Sequence, residues 1–410
     1  MLKQITLAMI LSVSLSAFAS ISSYGGGDGS SESPFEIWTA EQLNSIGLNP
    51  DDWDQHFKLM DNIDMSGYSG TQFNIIGSSC QNLFSGTFDG NEKAISNLSY
   101  TAPADNKVAG MFGCLKEATI KNLKLDKVSI LSEGLYSSTG GLAGSNEYST
   151  IINCHVSGSV VGINHVGGLV GSNSSGVLIG CSATGSVGGT GYLGGLIGIN
   201  SGNSPITSCS ASCTADGTDN YVGGLIGWNF SEQAITDCFA TGSVHADGYF
   251  AGGLIGSNES SEIISCYAAG TVSGFGNVGG LVGENYNTPL NACYAAGSVD
   301  GTDFVGGLVG TALSGEVNAC FWDIQTSGQT DGVGNLDPDP SGVMGKSTAQ
   351  MKMLPTFTAA GWDFVEVWGI GNGQTYPYLK APAGFKPADA NYSGSVDLQD
   401  LAILAADWLE

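Results

Sequence analysis

VGGLVGEN, residues 278–285, is built from Gly, Val, Leu, Glu and Asn alone. Near copies stand at 166–173 (VGGLVGSN), 222–229 (VGGLIGWN) and 251–258 (AGGLIGSN). Each Gly-Leu-x-Gly unit can be aligned on its first Gly, from Gly110 (as GMFG) through Gly141, Gly168, Gly195, Gly224, Gly253 and Gly280 to Gly307. The steps are 31, 27, 27, 29, 29, 27 and 27 residues. A fixed period of this size marks a solenoid or an array, in which one unit cannot bury its own inner face and its neighbours must do so.

The columns of the repeat give its local structure. Thirteen or fourteen residues after the aligning Gly stands a cysteine: Cys154, Cys181, Cys209, Cys238, Cys266, Cys293 and Cys320. Five residues after it stands an asparagine: Asn146, Asn173, Asn200, Asn229, Asn258 and Asn285; the series stops at Ala312. Downstream of each Cys the text alternates, as in CYAAGSVDG from Cys293, with Cys293, Ala295, Gly297, Val299 and Gly301 on one face. Period two means strand.

The expected fold is therefore all-β: a right-handed parallel β-helix (β-solenoid) with coils of ~27 residues and capped ends. Equivalent strands pair one coil apart, at ~4.8 Å. Cysteines stacked at that spacing are poorly placed for disulfides, whose Cβ atoms want ~3.8 Å, so the ladder is expected to stay as thiols. Cys80 and Cys114 precede the regular coils and can pair. The Asn column is expected at a corner, tolerating left-handed φ and bonding amide to amide along the stack.

Composition narrows the function. Gly makes up 63 of 410 residues, and the net charge is −26 although only 12% of residues are charged. There is no Arg, and no Lys between Lys127 and Lys346. Phosphate binding needs clustered Lys or Arg, so nucleic acid and anionic lipid are excluded as partners. Lys3, the apolar run ITLAMILSVSLSAFA and Ala17-Phe18-Ala19 read as a secretory signal, with secretion to the exterior or cell surface expected and no membrane span after cleavage. The expected organisation is 1–19 signal peptide, 20–109 N-terminal cap and irregular first coils, 110–320 repeat solenoid, 321–380 C-terminal cap, 381–388 linker and 389–410 a terminal calcium motif.

The Gly-Leu-x-Gly units followed by Asn, with PFEIWTAEQLNSIG, FSGTFDGNEKAISNL (84–98) and AGWDFVEVWGIGNGQTYPYL (360–379) flanking them, resemble GLUG-motif repeat proteins of bacterial surfaces. The resemblance speaks to architecture and is nearly silent on activity. Some such proteins carry a zinc peptidase domain, but no His-Glu-x-x-His occurs here.

The tail, DANYSGSVDLQDLAILAADWLE, places oxygen donors at calcium-loop positions: Asp389, Asn391, Ser393, Ser395 (through its carbonyl), Asp397 and Asp400, with Gly394 at the sharp bend. Leu401, Leu404, Ala405 and Trp408 follow at helical spacing. This text is similar to a dockerin repeat. The similarity implies Ca²⁺ as cofactor and a cohesin-bearing scaffold as partner, although a full dockerin has two such repeats and position 5 here is Ser.

Two columns are candidate ligand contacts. One follows each Cys and is expected to point outward (His155, Ser182, Ser210, Phe239, Tyr267, Tyr294, Phe321). The other precedes the Gly pairs (His165, Tyr192, Tyr221, Phe250, Asn277, Phe304). Tyr192, Tyr221, Phe239, Tyr267 and Tyr294 are the residues placed to stack on an extracellular polysaccharide, against the plainer role of cross-strand packing. No catalytic residues are assigned. Glu259, Glu262 and Glu284 are the acids closest to a cluster, but turn acids are usually just solvated, and no Ser-His-Asp or metal set stands out. The expected function is a non-enzymatic exported scaffold or adhesin tethered through its calcium tail. The alternatives are a carbohydrate-active β-helix enzyme and a carbohydrate-binding solenoid.

Overall fold

The computed structural model describes residues 24–380. The signal segment, the linker and the calcium-loop residues Asp389–Asp400 lie outside the described residues. Within them the chain is a parallel β-solenoid of about 10 turns with few helices. An 11-stranded sheet runs from Phe35–Ile37 to Val317–Asn318, an 8-stranded sheet from Phe112–Lys116 to Val309–Ser314, and a 21-stranded sheet supplies the remaining wall. Pairing between coils is parallel and in register. Asn146, Asn173, Asn200, Asn229, Asn258, Asn285 and Ala312 face one another in sequence, as the repeat requires.

VGGLVGEN forms a tight arch between two sheets. The chain leaves one strand at Gly279 and enters the next at Val282. A β-carbon on Gly279 would collide with the Val282 carbonyl, and one on Gly280 with the Gly307 carbonyl of the next coil. One on Gly283 would collide with the backbone of Phe250 and Ala251 on the preceding coil. Glycine is required because backbone meets backbone on both sides. Val278, Leu281 and Val282 are fully buried, and the N–H groups of Leu281 and Val282 both donate to the Leu308 carbonyl one coil on.

The two ladders behave differently from expectation in one respect each. The asparagines are buried strand residues, and none has positive φ. Left-handed backbone sits instead immediately before each cysteine, at Asn153, Gly180, Ser208, Asp237, Ser265, Ala292 and Ala319. Each asparagine amide donates to the next side-chain oxygen along the stack, at 2.7, 2.7, 2.8, 2.6 and 3.0 Å from Asn146 to Asn285. Spare amide hydrogens close the local turn, as in Asn285 Nδ2 to the Thr288 carbonyl at 2.8 Å. At the far end of the row the Asn146 Oδ1 has no partner.

The cysteines are buried free thiols, as the ladder argument requires, but they do more than fill space. Each thiol donates to the carbonyl two residues earlier, for example Cys266 to Ile264 at 3.1 Å. The N–H groups of Cys181, Cys209, Cys238 and Cys266 point at the sulfur of the next coil at 3.4 Å. The sulfur thus accepts a corner N–H that an alanine would leave open, while the carbonyl its proton reaches already accepts a backbone N–H from the preceding coil. Burial pushes the pKa of Cys154, Cys181, Cys209, Cys266 and Cys320 well above the usual thiol range. Cys213 replaces a Gly of the Gly185 column and packs into the core, where burial raises its pKa to about 12. Cys80 and Cys114 form a disulfide with Cα atoms 5.3 Å apart.

Both ends are covered. At the start, Gly25 and Gly26 exchange backbone hydrogen bonds with Glu36 on the first strand. At the far end Val333 bridges Val309, Asn335 bonds both polar groups of Ala312, and Val343–Lys346 extends the wall beyond Cys320–Asp323. The chain then departs from a simple end cap. Residues 347–380 fold back along the flank, bringing Met351, Phe357, Trp362, Trp368 and Leu379 onto Phe239, Tyr267, Tyr294 and Phe321.

Asn229→Ala should strand the Asn200 amide and the Asn258 oxygen in a dry interior and lower stability by about 2–4 kcal/mol. Thermal unfolding against the exposed control Ser298→Ala measures this. Titrating thiols should find Cys154, Cys181, Cys209, Cys213, Cys238, Cys266, Cys293 and Cys320 unreactive in the native protein. All eight should react after denaturation without reductant.

Candidate aromatic and acidic flank

The candidate ligand residues divide into two groups. Phe239, Tyr267 and Tyr294 do point away from the coil interior, and they stack nearly flat on one another, with centroids 4.9 Å apart and interplanar angles of 1° and 6°. The expectation that they face solvent fails, because all three are buried beneath the folded-back C-terminal segment. The Tyr294 hydroxyl donates to the Pro377 carbonyl at 2.6 Å, and Trp362 and Trp368 close over the ring. A sugar cannot reach them without displacing that segment. Their role here is to hold it.

Tyr192 and Tyr221 lie on the uncovered flank, where the 21-stranded sheet turns into the 8-stranded one. His165, Tyr192, Tyr221 and Phe250 form a continuous stack, with centroids 5.4, 5.0 and 4.7 Å apart. Trp228, on the same coil as Tyr221, lies over Tyr192 at 5.0 Å and 19°, and Phe230 leans on it at 4.8 Å. Tyr249 and Phe275 continue the ring surface at 5.3 Å. Phe230, Tyr249, Phe275 and Tyr286 are 36–51% exposed. Trp228 carries no sequence warning except its column: the position before the Asn is Ser145, Ser172, Ile199, Trp228, Ser257, Glu284 and Thr311 in successive coils.

Two carboxylates join the rings. Glu259 accepts the Trp228 Nε1–H at 3.1 Å, and Glu284 accepts the Ser257 hydroxyl at 3.1 Å. Burial and, after the Ser257 bond that opposes it, the nearby Glu259 charge raise the Glu284 pKa. Burial, then the Tyr192, Glu284, Glu259 and Asp219 charges, raise that of the Tyr221 hydroxyl. Glu262 belongs elsewhere, accepting the Asn291 amide. Among the described residues the ion pairs are Lys121–Asp89 and His245–Asp247, so neither flank carboxylate has a cation beside it.

Backbone strain falls on the same ridge. Tyr221, Phe250 and Phe304 hold φ of 65°, 66° and 49°, a left-handed region costly for bulky residues. Asn277, in the same column at φ 52°, shows the easier choice.

One hydrogen-bonded chain was not legible in the sequence. Ser273 Oγ lies 2.9 Å from His245 Nδ1, and His245 Nε2 lies 3.2 Å from Asp247. It is exposed, and the hydroxyl meets Nδ1 whereas a hydrolytic triad uses Nε2. His155 and His165 make the same Nδ1 contact to Ser182 and Ser138 on neighbouring coils, so this is a habit of His beside Ser in the ladder.

The family described as the GLUG motif matches residues 136–161 and 248–273, each covering one arch and its following strands. "Halomucin" of Haloquadratum walsbyi is 36% identical over 145 residues, which is 34% of this chain and 2% of that protein. A protein of Evansella cellulosilytica whose name includes "Gly-rich membrane protein" is 34% identical over 142 residues, 34% of this chain and 16% of its own length. The chain thus spans a small fraction of the relatives it matches. A crystal structure from Bacteroides ovatus whose name includes "immunoglobulin A1 protease" superposes with a TM-score of 0.50 at 18% identity, covering 87% of this chain and 95% of that one. At that identity the likeness is one of fold.

Glu284 titrates above the ordinary Glu value, so the folded state binds its proton more tightly than the unfolded chain. Stability contributed at this site is therefore present at low pH and lost as pH rises through the raised pKa. Glu284→Gln should gain in melting temperature over the parent as pH goes from 4 to 7, and thermal melts at both values measure the difference.

Proposed function

We propose that the protein is a non-catalytic extracellular repeat scaffold of the adhesin kind, a rigid rod that presents one flank to a ligand. The observation that carries this reading is the contrast between its two aromatic flanks. One is buried by the chain's own C-terminal segment, and the other leaves Phe230, Tyr249, Phe275 and Tyr286 exposed beside two carboxylates whose bonds are to neutral donors. Exposed apolar surface of that extent in a soluble domain marks an interaction site. The GLUG matches, and a relative whose name calls it a membrane protein, support placement at a cell surface.

The tether is the terminal loop. Asp389, Asp397 and Asp400 supply carboxylates, and Asn391, Ser393 and the Ser395 carbonyl supply neutral oxygens, a set that suits Ca²⁺ over Zn²⁺. The ordered loop would hand its following apolar face to a cohesin-bearing scaffold. Carbohydrate binding is a second reading, favoured by the placement of Tyr192 and Tyr221 in the exposed ring cluster. It is weakened because rings stacked at about one coil spacing spend their faces on each other.

Adding millimolar Ca²⁺ to the mature full-length chain should change Trp fluorescence, with an apparent Kd of ~10⁻⁴ M or weaker for a single loop with three acids. Asp389→Ala should abolish the change, and Zn²⁺ should not reproduce it. A chain that responds to neither ion, with Asp389→Ala silent, removes the tether from the proposal.

A further inference from the structure

We propose that the flank formed by Tyr221, Trp228 and Phe250 with Glu259 and Glu284 docks an extended, Lys- or Arg-bearing segment of a partner polypeptide. The proposal rests on the scaffold reading and names the chemistry of its ligand.

Charge selects the partner. No Lys or Arg occurs from residue 128 to 345, so the chain supplies this flank with no counter-ion from the surrounding coils. Glu259 and Glu284 are bonded to neighbouring rungs of one column, Trp228 and Ser257, and burial, with the Glu259 charge adding to it, raises the pKa of the half-buried Glu284. Their hydrogen bonds, from Trp228 and Ser257, are neutral ones. A guanidinium fork or an ammonium group would relieve that repulsion and use the remaining carboxylate lone pairs. A second copy of this chain, anionic lipid or nucleic acid would add like charge. A neutral sugar would leave the carboxylates uncompensated and would find ring faces already stacked.

Shape agrees with charge. Rings follow one another from coil to coil at 4.7–5.4 Å, and Phe230, Tyr249, Phe275 and Tyr286 beside them are 36–51% exposed, which makes an apolar strip along the flank. The methylene stems of Lys and Arg lie well on such a surface while their charged heads reach the flanking acids. Tyr221 and Phe250 keep bulky rings at left-handed φ, where the same column also accepts Asn277, so the fold itself does not demand rings there.

The test titrates oligo-arginine peptide into the full-length mature protein by calorimetry at low and physiological salt. Compared are the parent, the double variant Glu259→Gln/Glu284→Gln, Trp228→Phe, and a charge-matched control, Glu117→Gln/Glu316→Gln, at exposed acids away from the flank. The flank double variant should weaken binding roughly tenfold, and the control by less than about twofold. Trp228→Phe, which deletes the indole bond to Glu259 but keeps a ring, should weaken it measurably, and a neutral β-linked oligosaccharide should not compete. Equal weakening by the flank and control pairs would reduce the effect to general attraction by an acidic protein and overturn the proposal. So would competition by the oligosaccharide, or a flank pair that binds like the parent. Unchanged circular dichroism verifies folding. The Ca²⁺ response of the same variants is read separately: lost peptide binding with an intact Ca²⁺ response confirms the flank as an independent site. Absence of peptide binding in a parent that still responds to Ca²⁺ rejects this inference alone.

Discussion

Backbone hydrogen bonding between successive coils is the constraint from which the rest of this protein follows. A coil of this kind has no partner for its inner face or for its N–H and C=O rows except the next coil. Equivalent residues must therefore stack in register, and each column must be filled by something that tolerates its own copy above and below. Asn, Cys and Gly meet that condition in three different ways. Asn offers a donor and an acceptor pointing along the stack. Cys offers a small apolar volume and a sulfur that accepts from one coil while its proton goes to a corner carbonyl. Gly offers no volume where two backbones touch.

The arch at VGGLVGEN shows how tightly that constraint binds. Its glycines face their own coil, the next coil and the preceding one. Replacing any of them pushes apart pairs of strands that would otherwise carry hydrogen bonds, and the disturbance passes in both directions along the rod. The polar interior is equally coupled, since the asparagine row is a single chain of bonds closed by Thr288 at one end.

What the outer columns do depends on what covers them. The aromatic column after the cysteines and the one before the glycine pairs read alike in sequence. The fold gives them opposite fates: the first anchors the C-terminal segment, with Asp323 accepting from Thr348 and Tyr376 to pin its two ends. The second stays half-exposed, uncovered by that segment, with Tyr221 beside Glu259 and Glu284. The strained rings of that flank, Tyr221 and Phe250, are only half-buried.

By itself the sequence determined the coil length, the parallel strands, the in-register ladders and the thiol state of the cysteines in them. Each of these follows from a period repeated many times along the chain, and repetition makes a weak local preference decisive. It could not show that Asn146 to Asn285 lie within strands while the residue before each Cys turns left-handed, because Asn is itself a good left-handed residue and the column before Cys, which includes Ala292 and Ala319, carries no such signature. Nor could it show that Phe239, Tyr267 and Tyr294 are buried while Tyr192 and Tyr221 stay at the surface, or that Trp228 joins Tyr192 and Glu259. Alternation tells which way a side chain points from its own coil. Only tertiary structure decides what arrives on the other side, since the segment that covers Tyr294 comes from more than fifty residues further along the chain and carries no trace of the repeat.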